Sequence, residues 1–268
     1  MPTIDNSGVA IHYEVEGSTG PVVVMVHGMG MSSQDWYRAG YVETLREEYR
    51  LLIIDSRGFG QSGKPPNPEA YGRREKVSDI TAVMDAEGVS QAHYWGFSMG
   101  ASIGWAMGML APERARSLII AAYPVLPAEV TPSDRLRWES RAKLMRLGMD
   151  VYVTATEMHT GPMEQDARER LLANDGMSYA AQQIANLSWG VPDDSIRGMT
   201  LPTFVYTGTE DKDVMPTNHE LTVRAAGLAP NATLLQIPGY KHMQTFNDSA
   251  FIIPHIRRWI TRIEAEAK

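Results

Sequence analysis

Residues 92–101 read Ala92-His93-Tyr94-Trp95-Gly96-Phe97-Ser98-Met99-Gly100-Ala101. The first four have strand composition, and Ser102 to Leu110 is a small-residue segment of helical character. A serine carried between a strand end and a helix start sits on a very tight turn. Gly96 and Gly100, two before and two after it, suit that turn because a side chain at either place would crowd it. The N–H that follows the serine then falls at a helix N-terminus, where negative charge is favoured. So short a pattern also arises by chance, and its weight comes from the rest of the chain.

Upstream, Val22 to Val26 is continuously apolar and β-branched apart from Met25, as in a strand buried on both faces. It runs into His27-Gly28-Met29-Gly30, and a helix is predicted from about Gln34 to Glu48. Leu51 to Ile54 is a second buried strand, followed by the polar loop Asp55-Ser56-Arg57-Gly58-Phe59-Gly60-Gln61-Ser62. Lys64 to Pro68 reads as a connector. Arg73 to Glu87 has Val77, Ile80, Val83 and Met84 at helical spacing, and Gly88 stops it. Nearer the start, Val9 to Val15 is a partly alternating strand.

Downstream, Ser117 to Ala122 is another strand, after which the pattern changes. From Pro124 to about Ile196, beginning with Pro124, Pro127 and Pro132, no strand-like run occurs. Helices are predicted over about 133–147, 150–159, 163–173 and 177–188. Strand character returns at Thr203 to Tyr206. A polar loop through Glu210, Asp211 and Asp213, a helix over about 218–226 and a last strand, Thr233 to Ile237, follow. Pro238-Gly239-Tyr240-Lys241-His242 then leads into a closing helix over about 247–265. Alternating strands and helices predict an α/β domain with a parallel sheet covered on both faces. Ligands bind beyond the carboxyl ends of such strands, where His27, Asp55 and Ser98 all fall. The expected division is a core of residues 1–123 and 199–268 and an inserted helical cap of residues 124–198.

The bulk numbers narrow the function. The 268 residues are 43% hydrophobic and 21% charged, as in a globular protein, with a net charge of −7. That charge argues against nucleic acid or an anionic membrane as partner. No cysteine is present, which excludes disulfides and thiolate chemistry. No basic, apolar leader and no spanning apolar run is seen, so a cytoplasmic protein is the default expectation. The histidines lack paired ligand spacing, so no metal or organic cofactor is expected.

Together, His27-Gly28 after one strand, the Gly96-x-Ser98-x-Gly100 nucleophile elbow, Asp211 after a late strand and His242 after the last resemble the α/β-hydrolase superfamily over essentially the whole chain. The loop Asp55-x-Arg57-Gly58-x-Gly60-x-Ser62 looks like one common in its smaller members. The resemblance implies Ser98 as nucleophile, His242 as base and Asp211 as its acid, with the backbone N–H groups of Met29 and Met99 as the oxyanion hole. The chemistry asks for these types: a hydroxyl needs a base within reach, histidine titrates near neutrality, and a carboxylate holds its tautomer. Of the seven histidines, His242 is the one that follows the last strand in a glycine-containing loop. For the acid, Gly208-x-x-Asp211 matches the family's spacing. Members often place a proline four residues after the aspartate, whereas Pro216 is five after Asp211 and three after Asp213, so Asp213 stays a rival and Glu210 a weaker one.

A serine nucleophile disfavours the dehalogenase and epoxide hydrolase chemistry of this fold, which uses aspartate. The resemblance therefore implies a serine hydrolase acting on an ester or lactone of a small to medium, rather apolar substrate. Carboxylesterases, enol-lactone hydrolases and perhydrolases are the similar subclasses. Carbon–carbon bond hydrolases fit less well, because Met29-Gly30-Met31 lacks their further proline. A small-molecule receptor of this fold with slow hydrolysis is the alternative from another class. Met31, Trp36, Trp138, Met145, Met158 and Trp189 are the candidate substrate-binding residues, with packing as the competing role for each. Oligomeric state is left open.

Overall fold

The protein is described by a computed structural model covering residues 2–126 and 128–266; Met1, Pro127, Ala267 and Lys268 lie outside the described residues. Eight strands form one sheet: β1 (Thr3–Asn6), β2 (Val9–Glu16), β3 (Val22–Val26), β4 (Arg50–Ile54), β5 (Ala92–Phe97), β6 (Ala115–Ala121), β7 (Thr203–Gly208) and β8 (Ala232–Ile237). Their order across the sheet is β1-β2-β4-β3-β5-β6-β7-β8. The six strands from β3 onward pair in parallel, while β1 and β2 are antiparallel. β1 has too little apolar character to be recognised in sequence. It exists because Ser7 and Gly8, both at positive φ (56° and 80°), make the two-residue reversal that pairs Asn6 with Val9.

Successive side chains of a strand point to opposite faces, so the central strands build two cores. Val24, Val26, Leu52, Ile54 and Tyr94 pack on one side with α3 (Arg73–Ala86) and α4 (Met99–Leu110). Val23, Met25, Leu51, Ile53, Trp95 and Phe97 pack on the other. There they meet α1 (Ser33–Arg38), α2 (Tyr41–Leu45) and the long C-terminal helix. Trp36 has its ring centroid 5.2 Å from Tyr41, 5.1 Å from Trp95 and 4.9 Å from Phe246 in edge-on geometry. With no exposed surface, truncating Trp36 to alanine should cost about 3–5 kcal/mol. The helix predicted over 34–48 is two short helices. Gly40, at φ 78°, turns the chain between them, a conformation that costs glycine little.

Between β6 and β7 lie α5 (Pro132–Leu147), α6 (Met149–Thr160), α7 (Gln165–Leu172), α8 (Gly176–Ala185) and α9 (Asp193–Arg197), with no strand among the described residues. Their starts follow local chemistry. Thr131 Oγ1 accepts the Asp134 N–H at 3.1 Å and the Asp175 carboxylate accepts the Ser178 N–H at 2.8 Å, each satisfying an otherwise free helix donor. The segment is tied to the sheet domain through Trp189, whose indole N–H donates to the Tyr71 carbonyl at 3.0 Å, and through Ser178, whose hydroxyl donates to the Gly58 carbonyl at 3.0 Å. After β7, α10 (Asn218–Leu228) returns the chain to β8, and α11 (Gln244–Asn247) and α12 (Ser249–Glu266) complete it. No helix among the described residues is long and apolar enough to cross a membrane.

Candidate active site

β5 ends at Phe97 and α4 begins at Met99, so a single residue, Ser98, turns the chain. It does so at φ 54° and ψ −113°, a backbone conformation that L-residues rarely adopt. The surroundings hold it there. Its N–H donates to the Ala121 carbonyl at 2.9 Å, and the Gly100 N–H donates to the His27 carbonyl at 3.2 Å. Both flanking glycines are sterically required. A Cβ on Gly96 would sit 2.1 Å from the Gly100 oxygen, and one on Gly100 would sit 2.1 Å from the Val26 oxygen. The elbow is thus keyed into the loop that follows β3.

Two later loops bring the partners. β7 ends at Gly208, against which the Tyr240 backbone lies so closely that a Cβ would be 2.0 Å from its oxygen. The Glu210 N–H donates to the Tyr240 carbonyl, and the Gly239 N–H to Thr209 Oγ1, so the loops after β7 and β8 are laced together. That lacing sets Asp211 beside His242. The carboxylate accepts from His242 Nδ1 at 3.0 and 3.1 Å, and Nε2 lies 3.0 Å from Ser98 Oγ. Asp211 has no exposed surface, while Ser98 and His242 keep 8% and 5%. The imidazole ring also packs against Phe97, and Thr245 donates to the His242 carbonyl at 2.6 Å. Asp213, the rival acid, is exposed on the same loop and has no bond to His242. Of the expected oxyanion donors, Met99 is the first residue of α4 and Met29 follows Gly28. Among the described residues neither backbone N–H donates to a protein acceptor.

The loops after β3 and β4 form a separate polar cluster. His27 is fully buried; its Nδ1 donates to the Gly28 carbonyl at 2.7 Å and its Nε2 accepts the Ser56 N–H at 3.1 Å. Burial lowers its pKa, so it is a neutral structural imidazole. Asp55 accepts from the Ser33 and Gln61 N–H groups and meets His12 Nδ1 at 2.9 Å. Arg57 forms a two-pronged pair with Asp79, at 2.6 and 2.5 Å, buried at both ends. Lys76 donates to Ser56 Oγ and the Arg57 carbonyl beneath the rings of Phe59 and Tyr71. Burial drives its pKa well below the usual lysine range.

A cavity of about 580 Å³ contains Ser98 and His242 in its wall. Gly28 to Met31, Phe97 and Met99 line its sheet side, and residues of α5 to α8 line the other. A neighbouring groove of about 710 Å³ shares Gly30, Met31 and Arg170 with it, but has Asp35, Arg38, Lys64, Asp166 and Glu169 in its lining and reaches neither Ser98 nor His242. Of the six candidate substrate-binding residues, Met31 and Trp138 line the cavity that holds Ser98 and His242. The other four are placed elsewhere. Trp36 belongs to the aromatic core behind the sheet and Met145 is buried against α8-side packing. Trp189 is buried with its N–H spent on Tyr71. Met158, 84% exposed, faces away from the protein. Tyr123, Arg141, Tyr152, Tyr179 and Gln183 also line the cavity, and none of them is among the six candidates from sequence. Burial raises the pKa of Tyr123 to about 12 and that of Tyr179 well above the usual range, so both stay neutral donors. Among the described residues no group of three acidic or histidine side chains has the arrangement of a metal site.

A family model described as alpha/beta hydrolase fold matches residues 21–145. Among curated proteins, the bifunctional epoxide hydrolase 2 of Sus scrofa is 30% identical over 48% of this chain and 23% of its own length. The putative carbamate hydrolase RutD of Azorhizobium caulinodans is 32% identical over 45% of this chain and 43% of its own. The chain thus spans less than half the length of these relatives. Among solved structures, the enol-lactonase from Burkholderia xenovorans LB400 superposes with a TM-score of 0.79 at 20% identity, covering 97% of this chain and all of its own. A thermophilic esterase from Thermogutta terrifontis superposes at 0.82 with 21% identity, covering 97% of each chain.

Proposed function

The chain has the α/β-hydrolase fold, and on that premise we propose that it is a serine hydrolase cleaving a carboxylic ester or lactone through an acyl-enzyme on Ser98. The observation that carries this reading is the continuous series from Ser98 Oγ to His242 Nε2 and from Nδ1 to the Asp211 carboxylate. In the proposed reaction His242 Nε2 takes the Ser98 proton as Oγ attacks the carbonyl carbon. Asp211 holds the proton on Nδ1 and stabilises the imidazolium. The oxygen that gains charge faces the Met29 and Met99 N–H groups, the latter at the N-terminus of α4. Collapse breaks the bond to the leaving group, which receives the proton from Nε2. A water deprotonated by His242 then attacks the acyl carbon and frees Ser98.

Several of the curated relatives are named as epoxide hydrolases. The alkyl-ester route expected of that chemistry needs a carboxylate at the elbow, and position 98 is serine. The matched segments are only part of either protein, so the carbonyl chemistry of serine weighs more than those names. We further propose that residues 124–198 act as a cap over a core of residues 1–123 and 199–268, excluding water and shaping the acyl pocket. The methionine, tyrosine and tryptophan side chains of the cavity support a small to medium, rather apolar substrate. The test is a panel of p-nitrophenyl esters and lactones, with intact-protein mass measured during turnover. An acyl increment that maps to Ser98 and is lost in Ser98→Ala is the expected result; unchanged hydrolysis by Ser98→Ala overturns the reading.

A further inference from the structure

α5 presents one helical stripe to the interior: Trp138, Arg141, Ala142 and Met145, at spacings of three, four and seven. Trp138, Ala142 and Met145 are buried, as a stripe facing other helices should be. Arg141 stands among them, and it lines the cavity that contains Ser98 and His242. Its neighbours on the outer faces of α5 are paired locally: Arg137 with Asp134 and Arg135 with Glu139. Among the described residues the Arg141 guanidinium makes no hydrogen bond and no ion pair. Arg141 is half-buried, and with no protein group against its guanidinium the charge is left to whatever enters the cavity. Arginine also offers a planar fork that matches a carboxylate.

The other charged groups on the cavity wall leave this position open. Arg170 lies 3.7 Å from Asp35, on the side shared with the neighbouring groove. His242 is committed to Asp211 and Ser98. Asp213 is exposed and makes no ion pair with Arg141. Around Arg141 the wall carries neutral donors, the phenols of Tyr152 and Tyr179 and the amide of Gln183. An anion is what completes such a set.

We propose that Arg141 is a specificity-determining residue, and that the substrate is an ester or lactone carrying a carboxylate which this guanidinium receives while its carbonyl lies at Ser98. The proposal rests on the Ser98 reading and narrows its substrate class: an apolar body with one acidic end.

The test compares anionic esters with uncharged analogues. p-Nitrophenyl hemiglutarate against p-nitrophenyl valerate places the carboxylate on the acyl side; 3-carboxyphenyl butyrate against phenyl butyrate places it on the alcohol side. In the native protein at least one anionic member should show the higher kcat/KM. Arg141→Met should lower that anionic-to-neutral ratio about tenfold or more, chiefly through KM, and Arg141→Lys should recover part of it. A ratio that Arg141→Met leaves unchanged overturns the proposal, as does preference for a choline ester, which would assign the recognition to Asp213. Calorimetry with glutarate separates the two readings. Binding to Ser98→Ala that weakens about tenfold in Ser98→Ala/Arg141→Met supports the Arg141 site even if Ser98 proves not to be the nucleophile. Equal binding by the two variants overturns it.

Discussion

Besides His12, which also meets Asp55, two histidines lie close to an aspartate at the same end of the sheet, and they differ in what the second ring nitrogen faces. His27 lies 3.9 Å from Asp55, and both its nitrogens are taken by backbone, the Gly28 carbonyl on one side and the Ser56 N–H on the other. Such an imidazole has one tautomer and no free valence. His242 gives one nitrogen to Asp211 and turns the other to a hydroxyl in a cavity wall. The residue types are the same in the two places. What separates the structural pair from the one proposed to be reactive is whether the chain has already spent both nitrogens.

That contrast can be broken most severely at the reactive pair. Ser98→Ala, His242→Ala and Asp211→Asn should each lower kcat/KM toward a p-nitrophenyl ester by about a thousandfold or more, with thermal unfolding little changed. Gly100→Ala strikes the joint between the two regions, since its Cβ would meet the Val26 oxygen at 2.1 Å. It should cost about 3 kcal/mol in denaturant unfolding, with activity falling alongside. At the structural pair, His27→Gln should cost about 1–3 kcal/mol of stability through lost buried hydrogen bonds, while the acyl-enzyme still forms.

The titration of His27 sharpens the difference further. Its folded pKa is depressed by burial, so below the ordinary imidazole range the unfolded chain binds a proton that the folded one does not. Stability should therefore rise with pH up to about 6.5 and fall as the solution is acidified below that. His93, depressed for the same cause, adds to the slope. His27→Gln should flatten it, as read from denaturant midpoints across pH 5 to 7. The smallest effect belongs to the rival acid. Asp213→Asn should change kcat/KM toward a neutral ester by less than about threefold, since an exposed carboxylate interacts weakly through water.

The frame was legible because it is written in contiguous residues. β3 is an unbroken apolar run, and Gly96 and Gly100 flank Ser98 at the places where the tight turn has no room for a Cβ. Ser98, Asp211 and His242 could each be placed because all follow strand ends, and strand ends of a parallel sheet share an edge. The cavity wall was less legible, since it depends on how each helix is rotated on its neighbours. Met158 has the apolar character of a lining residue, yet its face of α6 is the outer one. Arg141 carries no signal in sequence that marks it off from the other arginines of α5, and it is the packing of that helix that sets it on the cavity wall. Trp189 was grouped with the cap's apolar faces, but its hydrogen bond goes to Tyr71, which lies between the expected connector and the next helix. The missed strand β1 depends on a reversal at Ser7-Gly8 and on a partner, not on its own four residues.

The strands on either side of the helical segment, β6 and β7, are adjacent rungs, paired from Leu118 with Thr203 to Ala121 with Tyr206. The chain therefore departs from the sheet and comes home beside its own point of departure, with the Ala122 N–H fastened to the Tyr206 carbonyl at 2.8 Å. A loop closed so tightly at its base can be lengthened, shortened or exchanged without disturbing the register beneath. On the proposed division of roles, selectivity and bond-breaking are thereby left free to change at separate rates.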